Sequence, residues 1–483
     1  RAAEKIQARF PDTFTSVSSQ VIPQIKEFDR LSTTVVNSYV GPMFDSYLTN
    51  LKGRLSSFHQ AGDVLIMQSN GGVAPIDDSS RLAVRAILSG PAGGVNGAVA
   101  YGQLLNEPNI IAFDMGGTST DISLIENGIP HLTTEKFEAG WKIAVPMIDI
   151  HTMGAGGGSI AQVGPGGILH VGPESAGADP GPACYSKGGT LPTVTDANLA
   201  LGYLDPRNFL GGEAHLDPRL SERVLEEHVA RPLSLSTVEA ANGVSKVVST
   251  AIAEGIRLMS VQRGVDPRHF SLLAFGGAAG LQAVEVARQL GVTTVYVPQA
   301  APVLSAYGML STDLKYDFSR SYPASMDSLD LNTVQSIIGE LESEGRSKLE
   351  SQGLPSDKVN VTYSADMRYL DQVYEVNVDI PDLHQEDGMV LEQWTSNFHR
   401  RYQELFSYRQ TQQEVRLITL RVAVVGELPK AHLPAPPANR TIAQAEKGQR
   451  RIYLGKAAGW QDVPVYAMDR LPVAAQVVGP AIL

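Results

Sequence analysis

Cysteine is almost absent, with Cys184 alone among 483 residues. That excludes an internal disulfide and a cysteine-based zinc site, and such usage fits a reducing compartment, so a cytoplasmic location is expected. Basic side chains are the minority, 39 lysines and arginines against 51 acids, for a net charge of −12. A surface of that sign does not attract a phosphate backbone, so nucleic acid is not an expected partner. Long apolar runs are also missing. The uncharged stretch from Leu290 to Thr312 is interrupted by Gly291, Pro298, Pro302 and Gly308, and it reads as strand and loop, not as a membrane span. No two of the ten histidines lie within four residues of each other, which removes a compact His-x-x-x-His metal site. The one Gly-Lys pair, Gly455-Lys456, continues into Ala457, so a Walker P-loop is absent. Arg1-Ala-Ala-Glu-Lys-Ile6 shows neither the apolar core nor the cleavage site of a signal peptide and no starting methionine, and an internal piece of a longer chain is expected.

What is present is apolar side chain in quantity: 43% of residues are hydrophobic, 19% are charged and the mean hydropathy is −0.07. The length calls for at least two domains, each globular. From Val21 to Phe58, apolar residues at helical spacing (Val35, Val36, Tyr39, Val40, Met43, Tyr47, Leu51, Leu55) predict an amphipathic packing helix. A strand at Val64 to Met67, a helix-like Leu82 to Leu88 and a glycine turn at Ser89-Gly-Pro-Ala-Gly-Gly94 follow. Ile110 to Phe113 and Ile122 to Ile125 read as strands flanking a tight loop, with Glu126-Asn-Gly128 as the next turn. Twelve of the 36 residues from Gly154 to Gly189 are glycine without a three-residue period, which predicts a long functional loop. Thr237 to Gln262 reads as a helix; Phe270 to Phe275, Leu281 to Leu290 and Thr293 to Val297 then form a βαβ unit. Beyond Ser321 come a charged helix (Leu331 to Gln352), strands at Val359 to Tyr363, Val373 to Val378 and Leu417 to Val425, and a proline-rich run at Pro434-Ala-Pro-Pro437. The chain is therefore divided into residues 1–320 and a β-rich C-terminal domain, 321–483.

The chemistry concentrates in the first of these. Asp114 is delivered by a strand into Gly116-Gly117-Thr118-Ser119-Thr120, and Asp121 opens the return strand. Glycines expose backbone N–H groups to phosphate oxygens, hydroxyls add donors, and a carboxylate can hold Mg²⁺ through water. An Asx-type hairpin with a solvated acid is the plainer alternative. Gly154, Gly156, Gly157 and Ser159 form a second phosphate-sized nest, or a surface loop. Gly157-Gly-Ser-Ile-Ala161 falls one residue short of a nucleophile elbow and does not lead into a helix, which disfavours a serine hydrolase. Gly276, Gly277 and Ala278, within the 276–280 turn, precede a helix after a buried strand and can aim N–H groups at a nucleotide, although the spacing is not a Rossmann fingerprint. Asp149 and His151 alternate on one expected strand and could reach a metal or substrate, with a hydrogen-bonded structural pair as the plainer alternative. Asp196 stands where a helix starts, as a site residue or an ordinary cap. Cys184 has no cationic neighbour in sequence and reads as a packed thiol.

Phe113-Asp-Met-Gly-Gly-Thr-Ser-Thr-Asp121, Ser89-Gly-Pro-Ala-Gly-Gly94, Asp149-Ile-His-Thr-Met-Gly-Ala-Gly-Gly-Gly-Ser159 and Ala178-Asp-Pro-Gly-Pro-Ala-Cys184 together resemble the hydantoinase A / 5-oxoprolinase family. Pro192 to Asn198, Ala274 to Ala278, Ser305 to Gly308, Ala365 to Tyr369 and Val478 to Ile482 extend the resemblance over nearly the whole chain. The resemblance implies an α/β ATPase fold of the actin/Hsp70/sugar-kinase type, with its first half largely missing, followed by a β-rich domain. It implies ATP and Mg²⁺ as cofactors, with 114–121 as the second phosphate loop and Asp114 or Asp121 as the ligand of metal-bound water. It further implies a small-molecule substrate, a hydantoinase B-type partner, separate or fused, and an oligomer. The implied reaction is hydrolysis of a cyclic amide through phosphorylation of its oxygen. The alternatives are a subunit of an ATP-dependent ketone carboxylase and a non-catalytic nucleotide-binding or scaffolding fragment. The last is raised by the family's first Asp-x-Gly-Gly-Thr loop, of which no copy occurs here and without which the chain alone would be inactive. Gln282 departs from the histidine usual after the nucleotide turn.

Overall fold

The computed structural model describes residues 2–56, 63–380, 390–431 and 440–483. Phe58 and the proline-rich run 434–437 lie outside the described residues. The chain packs as two compact units that interleave along the sequence: residues 1–96, 131–149 and 308–430 make the first, and 97–130, 150–307 and 431–483 the second. The strand Leu314–Ser325 runs across position 320, where the sequence reading divides the chain.

The first unit is built on a six-stranded sheet in the order Leu65–Met67, Val73–Pro75, Leu314–Ser325, Val415–Gly426, Val359–Tyr369, Val376–Asp379. Its long members are antiparallel and alternate, as in Val415–Gly426, where Leu417, Leu420, Val422 and Val424 are buried. The helix Leu331–Ser351 lays Val334, Ile338, Leu341 and Leu349 against this sheet, at the spacing of one helical face. Helix Val390–Phe406 buries Trp394, Phe398 and Tyr402, with Tyr369 packed edge-on to Phe398 at 4.9 Å between ring centres.

The helix expected from Val21 to Phe58 is present as Glu27–Ser56, but it turns a different face inward. Val35, Tyr39, Met43 and Tyr47 are exposed, while Ser32, Thr33, Asn37 and Gly41 are buried. The reason is hydrogen bonding. Asn37 accepts from Val84 N and donates to Arg81 O, Thr33 Oγ1 accepts from Ala144 N, and Ser32 donates to Lys142 O. Backbone groups of two neighbouring loops thus find their partners on the polar face, and an apolar face could not supply them.

A second difference lies at residues 89–94. Where a glycine turn is expected, the 17-residue helix Ser89–Leu105 begins, and the helix-like 82–88 is reduced to a short 3-10 turn, Ala83–Ala86. Pro91 sits in the first turn, where its missing N–H costs no hydrogen bond, and the small residues Ala92 to Gly94 are buried.

In the second unit the sheet runs His151–Met153, Thr120–Glu126, Ile110–Met115, Ser271–Phe275, Val295–Tyr296. Ile110–Met115 and Ser271–Phe275 are parallel and almost wholly buried, and helix Ala279–Leu290 connects the latter to a parallel Val295–Tyr296, as the βαβ reading expects. Helix Thr237–Gln262, at its expected bounds, buries Val244, Val248, Ile252 and Ile256 in the same core. The glycine-rich 154–189 stretch is not one open loop. It contains an antiparallel hairpin, Ser159–Gly164 with Ile168–Ser175, and a 3-10 turn, Ala183–Tyr185. A closing hairpin, Glu446–Tyr453 with Trp460–Tyr466, adds Tyr453 to this unit's core.

Candidate functional site

The centre of the second unit's sheet carries the candidate site. Ile110–Met115 and Thr120–Glu126 form a hairpin whose register sets Asp114 directly opposite Asp121. Gly116 N donates to Ser119 O at 3.1 Å and closes the loop, while Gly117 and Thr118 are exposed at its tip. The N–H groups of Gly117, Thr118 and Ser119 have no acceptor among the described residues. An apex of open amides beside two carboxylates is suited to a phosphate chain and its counter-ion.

Burial, reinforced by the neighbouring Asp121, pushes the Asp114 carboxyl up to about 6. Asp121 is steadied by Thr152, whose Oγ1 donates to Asp121 Oδ1 at 2.6 Å. Two facing carboxylates, one of them pushed up by burial and then by the other, fit a divalent cation, which would relieve their repulsion. Among the described residues no group of three or more His, Cys, Asp or Glu side chains could hold a metal unaided. The pair therefore matches an ion that arrives with ligands of its own, as Mg²⁺ does with phosphates and water.

The second glycine-rich segment reaches this hairpin, but in another role. Gly157 N donates to Gly116 O at 2.9 Å and Gly158 N to Gly117 O at 2.6 Å. Gly156 N donates to Ser159 Oγ, Ser159 N to Gly156 O, and Ala155 N to Met153 O. The amides from Ala155 to Ser159 are thus spent on protein oxygens, which corrects the reading of Gly156, Gly157 and Ser159 as an open phosphate nest and leaves the exposed Gly154 outside this network. Glycine is needed for approach: a Cβ on Gly156 would stand 2.6 Å from the Gly117 carbonyl and 2.7 Å from Thr118 N. Thr120 Oγ1, fully buried, ties the two segments by donating to Ala155 O at 2.5 Å.

The third segment is the turn after Ser271–Phe275. Gly276 has φ +83°, and a Cβ there would lie 2.3 Å from Asp114 Oδ1. Ala278 N donates to Met115 O at 2.9 Å, so Gly276, Gly277 and Ala278 are fastened to the strand that carries Asp114. Helix Ala279–Leu290 starts here without a side-chain cap, and Leu281 N donates to Ala278 O at 3.3 Å. Gln282 lies inside, accepting from Ser249 Oγ at 2.7 Å, and acts as a packing link between helices.

Asp149 and His151 are not on one strand. Asp149 ends a segment of the first unit, its N–H donating to His131 O, whereas His151 opens the edge strand of the second unit opposite Ile122. The strand breaks at Ile150, so the alternation that would align them is lost; Thr152 is the residue that reaches Asp121. Asp196 is buried and accepts from Ala183 N, Cys184 N, Thr193 N, Thr193 Oγ1 and Ser221 Oγ. It is the third residue of helix Val194–Ala200 in a capping box with Thr193, which is the capping alternative. Cys184 packs with Leu199 and Leu216, and burial and then Asp196 push its thiol well above its ordinary range, so it is inert. Sequence reasoning missed Thr195, whose N and Oγ1 both donate to Gly157 O at 2.8 Å. No local pattern marks it, because its partner lies 38 residues away.

Comparison with known proteins adds to this geometry. Residues 30–318 match the hydantoinase/oxoprolinase family and 325–483 its C-terminal domain. The chain is 37% identical over 488 residues to caprolactamase subunit alpha of Pseudomonas jessenii, covering all of this chain and 70% of that one. The crystal structure of the ATP-dependent caprolactamase from that organism superimposes with a TM-score of 0.88. 5-Oxoprolinase 1 of Arabidopsis thaliana is 30% identical, with 99% of this chain and 38% of that one covered. A nucleotide-free acetone carboxylase structure gives a TM-score of 0.77 at 28% identity, covering 96% of this chain and 67% of that one. Among the described residues no helix is long and apolar enough to cross a membrane. By sequence match over both parts and by fold, the chain belongs to the hydantoinase/oxoprolinase family.

Proposed function

We propose that this chain is the ATP-using component of a cyclic amide hydrolase, acting on a lactam, hydantoin or 5-oxoproline with a hydantoinase B-type partner. The observation that carries the reading is the apex 116–119, with unpaired amides beside the facing Asp114 and Asp121 and two glycine segments packed behind it. The second unit is assigned to an actin/Hsp70/sugar-kinase type of ATPase fold on the same basis, the phosphate hairpin lying at the centre of a mixed sheet.

In the proposed reaction the amide oxygen attacks the γ-phosphorus of ATP, an O–P bond forms and ADP leaves. Water then adds to the activated carbon and the C–N bond opens, the amine leaving an acyl phosphate, and a second water hydrolyses that acyl phosphate to the carboxylate and inorganic phosphate. An amide oxygen is a poor leaving group and its phosphate ester a good one, which is what the ATP contributes. The amides of Gly117, Thr118 and Ser119 would bind phosphate oxygens, and Asp114 and Asp121 would hold Mg²⁺ through its waters. When bound, that ion neutralises charge on the transferred group. Thr152 keeps Asp121 oriented.

A second reading, a subunit of an ATP-dependent ketone carboxylase, is supported by the TM-score of 0.77 with acetone carboxylase. Phosphate release from ATP by the protein with its co-purifying partner separates the two. Stimulation by 5-oxoproline, a hydantoin or another lactam is the expected result. Stimulation only by a ketone with bicarbonate moves the protein to the carboxylases, and ATP binding with silence across the panel leaves a nucleotide-binding scaffold.

A further inference from the structure

The open amides of the 116–119 apex need a direction, and glycines at 116 and 117 carry no side chain that could set it. The peptides joining Gly116 to Gly117 and Gly117 to Thr118 are trans, so in each plane the N–H points opposite to the C=O. Both carbonyls are pinned. Gly116 O accepts from Gly157 N at 2.9 Å and Gly117 O accepts from Gly158 N at 2.6 Å. Drawing these carbonyls toward 157–158 turns the N–H groups of Gly117 and Thr118 the other way, to the exposed side of the loop. Two of the three open amides are therefore aimed by the second glycine segment.

That buried segment is itself held from behind. Gly157 O accepts two bonds from one residue, from Thr195 N and from Thr195 Oγ1, each at 2.8 Å. Gly158 O accepts from Ala176 N at 2.9 Å. A Cβ on Gly157 would stand 3.0 Å from Thr195 Oγ1, so the approach is as close as glycine allows. Thr195 is fixed in turn by the next residue, Asp196, whose carboxylate accepts from Ala183 N, Cys184 N, Thr193 N and Ser221 Oγ. A relay of hydrogen bonds thus runs from Thr195 through Gly157 to the apex.

We infer that Thr195 is a positioning residue for a phosphate chain, fixing through Gly157 the direction of the Gly117 and Thr118 amides. The loop is then ordered before a ligand arrives, which removes that ordering cost from binding. The inference rests on the proposed function for its ligand, the phosphates of ATP, and is independent of which amide or ketone is the second substrate.

The test is titration of the protein, with its co-purifying partner, with Mg-ATP and with Mg-tripolyphosphate, which is the phosphate chain alone. Thr195→Val keeps the shape and the backbone bond and removes the hydroxyl; it should weaken both ligands by the same factor, about three- to tenfold. Thr195→Ser restores the hydroxyl and should return both to within about twofold of wild type. Tyr203→Phe removes a hydroxyl bond to another carbonyl of the same unit, Tyr453 O at 2.9 Å, and should leave both affinities unchanged. Thr195→Ala takes the place of Thr195→Val if that variant does not fold. The inference is overturned if the variant without the hydroxyl binds both ligands as wild type does, if Thr195→Ser fails to restore them, or if Tyr203→Phe weakens them equally. Weakening of ATP alone also overturns it, because the loss then lies at the nucleoside. Lactam-stimulated turnover with unchanged affinities in Thr195→Val would overturn the positioning role and leave the proposed function standing. Weakened phosphate binding in that variant, with no lactam stimulation of wild type, would do the reverse, and a wild type that binds neither ligand would overturn both.

Discussion

The two glycine-rich segments of the second unit, 116–119 and 154–159, look alike in sequence and do opposite things in the fold. In the first, three consecutive amides are left open beside two carboxylates; in the second, the amides from Ala155 to Ser159 are all consumed by protein oxygens. Glycine in the first exposes backbone to a ligand, and in the second it lets backbone approach backbone. A glycine-rich string is therefore not evidence of an anion site until its N–H groups have been accounted for.

The sharpest way to break the comparison is to remove the charge at the open apex. Asp114→Asn should lower ATP turnover by about a hundredfold or more if the carboxylate holds the metal-bound water. It should not unfold the protein. Because the folded carboxyl titrates near 6 and its ordinary value is 3.8, the folded chain binds this proton more tightly than the unfolded one. The associated stability is complete below about pH 4 and is lost as pH rises through 6, an effect of about 1 to 3 kcal/mol. Thermal melting of wild type against pH should show that decline, and Asp114→Asn should flatten it while remaining at least as stable at pH 7. An active Asp114→Asn variant, or one that melts far below wild type, would sink the assignment.

Next in size is the paired substitution of the glycines. Gly156→Ala places a methyl against the backbone of Gly117 and Thr118, which cannot yield as a side chain would, and should cost about 1 to 3 kcal/mol together with loss of ATP binding. A Cβ on Gly117 meets nothing within 4 Å. Gly117→Ala should thus leave stability within about 0.5 kcal/mol while weakening nucleotide binding, because the methyl intrudes where the amides open. Equal melting temperatures for the two variants would erase the distinction between the segments. Smallest is Thr120→Val, which removes the bond to Ala155 O and leaves that buried carbonyl with one donor fewer; about 1 kcal/mol is expected in chemical denaturation, with ATP binding little changed.

Much of the framework was legible beforehand, for identifiable reasons. Helix Thr237–Gln262 announces itself through Ser236 and Glu239, a reciprocal cap, and through an apolar face of constant period. The Asp114 to Asp121 hairpin is flanked by β-branched and apolar runs that leave little choice but strands. The misreadings occurred where a long-range partner outranked local pattern. Asn37 and Thr33 on helix Glu27–Ser56 turn inward because backbone groups at Val84 and Ala144 need them. Asp149 and His151 part company because the strand breaks between them and each joins a different compact unit.

Sequence by itself determined helix Thr237–Gln262, the βαβ unit after Phe270, the Asp114–Asp121 hairpin with its glycine apex, and the family, because periodicity, caps and the conformational freedom of glycine are local properties. Tertiary structure alone decided which amides stay free and which carboxylate is pushed up by burial and then by its neighbour. Those outcomes depend on contacts between residues tens to hundreds of positions apart, and hydrogen-bond satisfaction and desolvation are settled only when such residues meet.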